Sequence, residues 1–155
     1  MTLYTIGYQG LTLETFLVLL RAHGIEHLVD IREAPISRKA GFSKASLSAA
    51  VEATGIRYSH VKALGCPKPI RDRHKIDGDW ARYTRDFKNY LDGQGTALDA
   101  LRRTAANART CLLCYEADFN LCHRAFVAAA LVGGSDDISH IPAESPTPQG
   151  QMVFV

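Results

Sequence analysis

The chain has no long apolar run, no basic leader and no marked excess of charge of one sign. Each absence removes a class of reading. Met1 leads straight into the strand-like run Leu3-Tyr-Thr-Ile6, with neither a basic n-region nor the roughly 20 apolar residues a spanning helix needs. No signal peptide, membrane span or membrane partner is expected. A net charge of +2 is too small to argue by itself for a nucleic acid or lipid surface. Without a leader, the four cysteines, Cys66, Cys111, Cys114 and Cys122, are expected to stay reduced in a cytoplasmic protein. There is no internal repeat and no linker, and 155 residues can bury one core without staples.

What is present is an alternation of short apolar runs with helical patterns. It predicts an α/β fold: a single three-layer domain over 1–141 with a mostly parallel sheet and helices on both faces. An irregular tail over 142–155, marked by Pro142, Pro146 and Pro148, is expected to follow. Strands are expected over Leu3–Tyr8, His27–Arg32, Ile56–Val61 and Thr110–Tyr115, with a last short one over Ile138–Ile141. Helices are expected over Thr12–His23, Ser43–Thr54, Trp80–Leu91, Thr96–Asn107 and Leu121–Leu131. Thr12 reads as an N-cap, while Gly24 and Gly55 read as stops. The stretch Lys62–Asp79 shows little periodicity and carries Pro67 and Pro69, so it reads as an unstructured lid or binding loop. From Arg57 to Lys75 six Lys or Arg residues face one acid, Asp72, with His60 and His74 among them. That segment is either a solvated loop or an anion-binding rim.

The densest chemistry is Cys114-Tyr-Glu116, five residues, then Cys122-His123-Arg124. Side chains alternate along a strand, so Leu112, Cys114 and Glu116 share one face and Cys111, Leu113 and Tyr115 the other. Cys111 and Cys114 therefore cannot close on one metal ion, and no metal site is assigned to them. Glu116 falls at a strand's carboxyl end, where open α/β sheets place their ligand crevice. It suits a general acid, base or nucleophile, or else a partner for an arginine. With Asn120 as N-cap, Cys122 and His123 would occupy the first turn of the next helix, which favours an anion and lowers a thiol pKa. Arg124 opposes that dipole unless a carboxylate or a bound anion neutralises it. Glu116 and a ligand phosphate are the two candidates. The spacing is not the Cys-x5-Arg loop of cysteine phosphatases, since Asn120 and Ala128 stand where the arginine would be.

A third cluster is Asp30-Ile-Arg32, with Pro35, Ser37, Arg38 and Lys39 behind it. Asp30 and Arg32 share a strand face. The loop then presents a hydroxyl and arginine forks suited to phosphate or carboxylate; the alternative is an Asp30–Arg32 pair with Arg38 and Lys39 solvated. The rings of Tyr8 and Phe42 are either core or stacking platforms for a planar ligand.

In Thr5-Ile-Gly7-Tyr8, Leu28-Val-Asp30-Ile-Arg32, Gly55-Ile-Arg-Tyr58 with Leu64-Gly65, and Cys114-x-Glu116-x5-Cys122-His123-Arg124, the chain resembles the family named domain of unknown function 488. The resemblance spans nearly the whole chain, to about Ile141. It implies a single α/β domain with a site gathered from those segments, and it implies no particular reaction. Two positions depart from the pattern: Gln9-Gly10 stands where a small hydroxyl residue is usual, and Cys66 where a second glycine is common.

The expected function is an enzyme, a hydrolase or transferase, on a phosphate-bearing small molecule, nucleotide or nucleic-acid-like substrate. Glu116, Cys122, His123 and Asp30 are its catalytic candidates. Tyr8, Arg32, Ser37, Arg38, Phe42, Cys114 and Arg124 are its substrate-binding candidates. Two alternatives remain open. One is thiol or redox chemistry at Cys122 or Cys114. The other is a non-catalytic module binding nucleic acid, or binding metal through Cys114, Cys122 and His123 with His140. Cofactor and oligomeric state stay unknown at this stage.

Overall fold

The computed structural model describes residues 2–132 and 137–142. Five strands, β1 (Leu3–Gly7), β2 (His27–Asp30), β3 (Arg57–His60), β4 (Thr110–Cys114) and β5 (Ile138–Ile141), form one parallel sheet in the order β3-β2-β4-β1-β5. The α/β expectation holds, with helices on both faces. Helices α1 (Leu13–Ala22) and α2 (Lys44–Ala53) cover one face, where Phe16, Leu20, Leu47 and Val51 pack on Ile6, Leu28, Cys111 and Leu113. Helices α4 (Trp80–Asp92), α5 (Gly95–Asn107) and α6 (Arg124–Val132) cover the other, where Phe87, Leu101 and Val127 meet Leu3, Val29, Leu112 and Cys114. Cys111 and Cys114 thus enter opposite cores, as strand alternation requires. No helix among the described residues is long and apolar enough to cross a membrane.

The local signals account for most element ends. Thr12 caps α1 by accepting a hydrogen bond from the Thr15 N–H, and Gly24 beyond its end has φ +67°. Two stretches differ from expectation. The segment read as an unstructured lid holds a 3-10 turn (Lys62–Leu64) and a complete helix, α3 (Lys68–Asp77). Pro69 sits in the first turn of α3, where its missing N–H costs nothing, and Gly78 ends the helix with φ +62°. No residue of α3 is buried, so there is no apolar stripe for a periodicity argument to find. The second difference is the start of α6. Asp118, not Asn120, caps here, accepting from the Asn120 N–H to start a 3-10 turn over Phe119–Leu121. Cys122 is extended, and the α-helix begins only at Arg124. Cys122 and His123 therefore precede the helix instead of occupying its first turn. The tail expected beyond Pro142 lies outside the described residues.

Topology decides where a ligand can sit. β1 leads to α1 on one face, while its neighbour β4 leads to α6 on the other. Connections that leave in opposite directions open a crevice at the strands' carboxyl ends. The ladder continues past the strands there: Tyr8 N–H donates to Cys114 O at 3.2 Å and Gln9 N–H to Tyr115 O at 2.8 Å. The Gln9 side chain then accepts from the Ala117 N–H at 3.0 Å and so pins the loop after β4.

Candidate functional site

A cavity of about 760 Å³ opens at this edge. Of the catalytic candidates, Glu116, Cys122 and His123 line it and Asp30 does not. Of the binding candidates, Tyr8, Arg32, Ser37, Arg38 and Cys114 line it, while Phe42 and Arg124 lie outside.

Asp30 and Arg32 explain each other. The Asp30 carboxylate is fully buried and accepts both Nε, at 2.8 Å, and a second guanidinium N–H, at 2.6 Å, from Arg32. It also takes the Tyr58 hydroxyl. A third Arg32 N–H donates to Phe42 O at 2.6 Å. Burial works against the Arg32 charge, but the bonds and charge of Asp30 outweigh it and hold the guanidinium protonated. Burial and the Asp30 carboxylate push the Tyr58 phenol up. Phe42 is core: it stacks on Tyr8 with ring centres 4.5 Å apart and meets Phe16 edge-on. One face of the Tyr8 ring is thereby taken.

The β4 side differs. Arg124 is 0% exposed, yet no carboxylate lies within ion-pair distance of it among the described residues. Its donors go to Thr5 Oγ1 at 3.0 Å, Ala117 O at 3.2 Å and the backbone carbonyl of Glu116, with Cys114 Sγ at 4.0 Å. Burial pulls its pKa down to about 10. Arg124 thus holds the main chain of the loop, and the Glu116 carboxylate is left to the cavity, without a hydrogen bond or ion pair among the described residues. Partial burial raises the Glu116 pKa. Gly7 is required by this approach, because a Cβ there would lie 1.7 Å from Glu116 O.

Cys114 and Cys122, expected to be reduced, meet sulfur to sulfur, with their Cα atoms 7.6 Å apart. Seven residues lie between them, and the extended conformation of Cys122 turns its side chain back onto the end of β4. His123 follows, with Nδ1 3.8 Å from Cys122 Sγ and Nε2 2.9 Å from Ile31 O. Burial lowers its pKa to about 4, so the ring is neutral at pH 7. His140 is not part of this group; it stacks on Phe119 and bonds Thr5.

The far wall comes from residues not singled out as site candidates. Arg71, His74 and Lys75 project from one face of α3, and Trp80 and Tyr83 from the start of α4. Arg71 is bonded to Glu33 at 2.6 Å, whereas Arg38 and Lys75 make no ion pair among the described residues. Trp80 stacks on Tyr83 at 4.6 Å, with His74 edge-on to both. Cys66 also reaches this wall, its thiol pushed up to about 11 by burial. The basic excess between Arg57 and Lys75 was the signal for this wall. Its spacing at 71, 74 and 75 becomes one face only once the segment is a helix.

A family model described as Domain of unknown function DUF488 matches residues 12–131. The matched span holds Asp30, Arg32, Glu116, Cys122 and Arg124 and leaves out Thr5–Tyr8. No curated protein and no solved structure matches the chain.

Proposed function

The chain belongs to the DUF488 family, and within it we propose an enzyme acting on a small phosphate-bearing substrate, a nucleotide or a nucleic-acid component, by hydrolysis or transfer. One observation carries this reading: a carboxylate, Glu116, and two cations, Arg38 and Lys75, all without a bonded partner of opposite charge among the described residues, share one cavity. The cations would hold the phosphate, Arg38 through its fork and Lys75 as a point charge. Glu116 would give or take a proton at the reacting bond. Its assignment rests on position, and it is preferred to Asp30, whose oxygens are already occupied by Arg32 and Tyr58. Trp80 and Tyr115 offer rings to a planar group. A cytoplasmic setting belongs to the same proposal.

Thermal shift across a panel of nucleotides and sugar phosphates tests it. A shift with at least one phosphate compound, lost in R38A/K75A, is the expected result. E116Q should still bind that compound but turn it over about 10²–10⁴-fold more slowly. No shift with any compound of the panel would sink the reading.

A second reading, thiol chemistry at Cys122 or Cys114, is supported by the two sulfurs meeting on the cavity wall. It requires Cys122 of the reduced protein to react with iodoacetamide faster than a free thiol near neutral pH. Labelling no faster than that removes it.

A further inference from the structure

We propose that in the reduced protein Cys114, Cys122 and His123 form a three-ligand site for a zinc-class divalent ion, with the fourth position open to the cavity. This holds whether or not the cavity takes a phosphate. The two sulfurs and one imidazole nitrogen lie within 4.8 Å of one another, and all three residues are buried. Two thiolates and an imidazole are a borderline-soft donor set that suits Zn²⁺.

Three further features of the surroundings fit a metal better than a bridge. The first is the histidine. Ile31 O can only accept, so Nε2 carries the ring hydrogen and Nδ1 turns its lone pair toward Cys122 Sγ, 3.8 Å away. A ring N–H anchored on a backbone carbonyl is the usual outer support of a ligating histidine. The second is the backbone spacing. The Cα atoms of Cys114 and Cys122 are 7.6 Å apart, beyond the roughly 4.4–6.8 Å that disulfides span. Around a tetrahedral zinc, two sulfurs sit about 3.8 Å apart, which this wider spacing accommodates.

The third feature is Arg124. A fully buried guanidinium with no carboxylate partner among the described residues depends on strong hydrogen-bond acceptors, and one of its N–H groups points at Cys114 Sγ from 4.0 Å. A thiol or a disulfide sulfur is a weak acceptor. Two thiolates and a neutral imidazole around a divalent ion sum to zero net charge, but a metal-bound thiolate sulfur is a stronger acceptor for that N–H than a thiol.

All three ligands line the cavity. Protein atoms therefore close one side of the ion and leave the other to water or to a substrate oxygen. Three protein ligands with one open position is the arrangement of catalytic zinc sites, not of closed structural ones.

The test uses full-length protein, fully reduced, its four thiols counted in denaturant, and titrated with Co²⁺ without oxygen. The expected result is one Co²⁺ per chain, an intense sulfur-to-cobalt charge-transfer absorption, and displacement by Zn²⁺. C114S and C122S should lose that absorption, and C66S should keep it. If the serine variants do not fold, alkylation of the wild type decides. Zn²⁺ should then slow iodoacetamide labelling of Cys114 and Cys122 and leave the rates at Cys66 and Cys111 unchanged. A reduced protein with no charge-transfer absorption, or one whose Cys114 and Cys122 label equally fast with and without Zn²⁺, overturns the proposal. Neither readout involves a phosphate ligand, so failure here leaves the phosphate reading standing, and the reverse also holds.

Discussion

Two arginines at one sheet edge, Arg32 after β2 and Arg124 at the start of α6, are both buried, yet they are solved differently. Arg32 meets Asp30 through two parallel hydrogen bonds, with Phe42 O and Tyr8 around it, and the cluster is neutral and satisfied. Arg124 has carbonyls, a hydroxyl and a sulfur, but no opposite charge among the described residues. A neutral buried cluster has little left to offer a ligand. Arg124 itself lies outside the cavity, but it holds the loop that brings the Glu116 carboxylate to the cavity wall, beside Cys114, Cys122 and His123.

The largest expected effect separates the two arginines by stability. R32M strands a buried Asp30 carboxylate with only the Tyr58 hydroxyl and the main-chain N–H of residue 32 and should cost about 3–5 kcal/mol in urea unfolding. R124M leaves no buried carboxylate behind, only the Glu116 and Ala117 carbonyls without their donor, while the Thr5 hydroxyl keeps His140, and should cost about 1–3 kcal/mol. Equal losses would break the comparison.

G7A sharpens the Arg124 side. The added Cβ must move the Glu116 carbonyl, and with it the guanidinium that would lie 2.9 Å from that Cβ. A loss of about 1–3 kcal/mol is expected, together with a displaced loop after β4 in a crystal structure of the variant. An unchanged unfolding midpoint would mean that the close approach is not maintained in solution.

E116Q should change unfolding free energy by no more than about 0.5 kcal/mol, because its carboxylate bonds nothing among the described residues. A loss comparable to that of R32M would show a structural partner for Glu116 and remove it from the proposed chemistry.

The smallest effect concerns acid. Burial, and then the Arg124 charge, hold the His140 pKa down to about 4. Below its ordinary value near 6.5, the unfolded chain takes up a proton that the folded chain refuses. The stability this group contributes is complete above pH 6.5 and drains as pH falls toward about 4. H140N should therefore lower the urea midpoint less between pH 7 and pH 5 than the parent chain does. Identical slopes would mean that the ring titrates normally. His27 and His123 are shifted in the same direction, so the acid limb persists in the variant with reduced steepness.

The sheet, its helical cover and the caps at Thr12 and Gly24 were legible in the sequence, because alternation and helical spacing are settled within a turn or a strand of chain. So were the opposite faces of Cys111 and Cys114 and the placing of Asp30 and Glu116 at carboxyl ends. Helix α3 was not, since none of its residues is fully buried and only Ile70 packs on the core, and the start of α6 was not, since Asp118 captured the cap expected of Asn120. Apart from the Asp30–Arg32 pair, two residues apart along the chain, what each charged group bonds to was beyond local reading. Tyr58 reaches Asp30 across 28 residues, His123 reaches Ile31 O across 92, and Arg124 reaches Thr5 across 119. The sequence by itself determined which chemical groups arrive at the sheet's edge. Only the tertiary structure decided which of them neutralise one another and which are left for a ligand, because buried charge is settled by contacts in space, not by spacing along the chain.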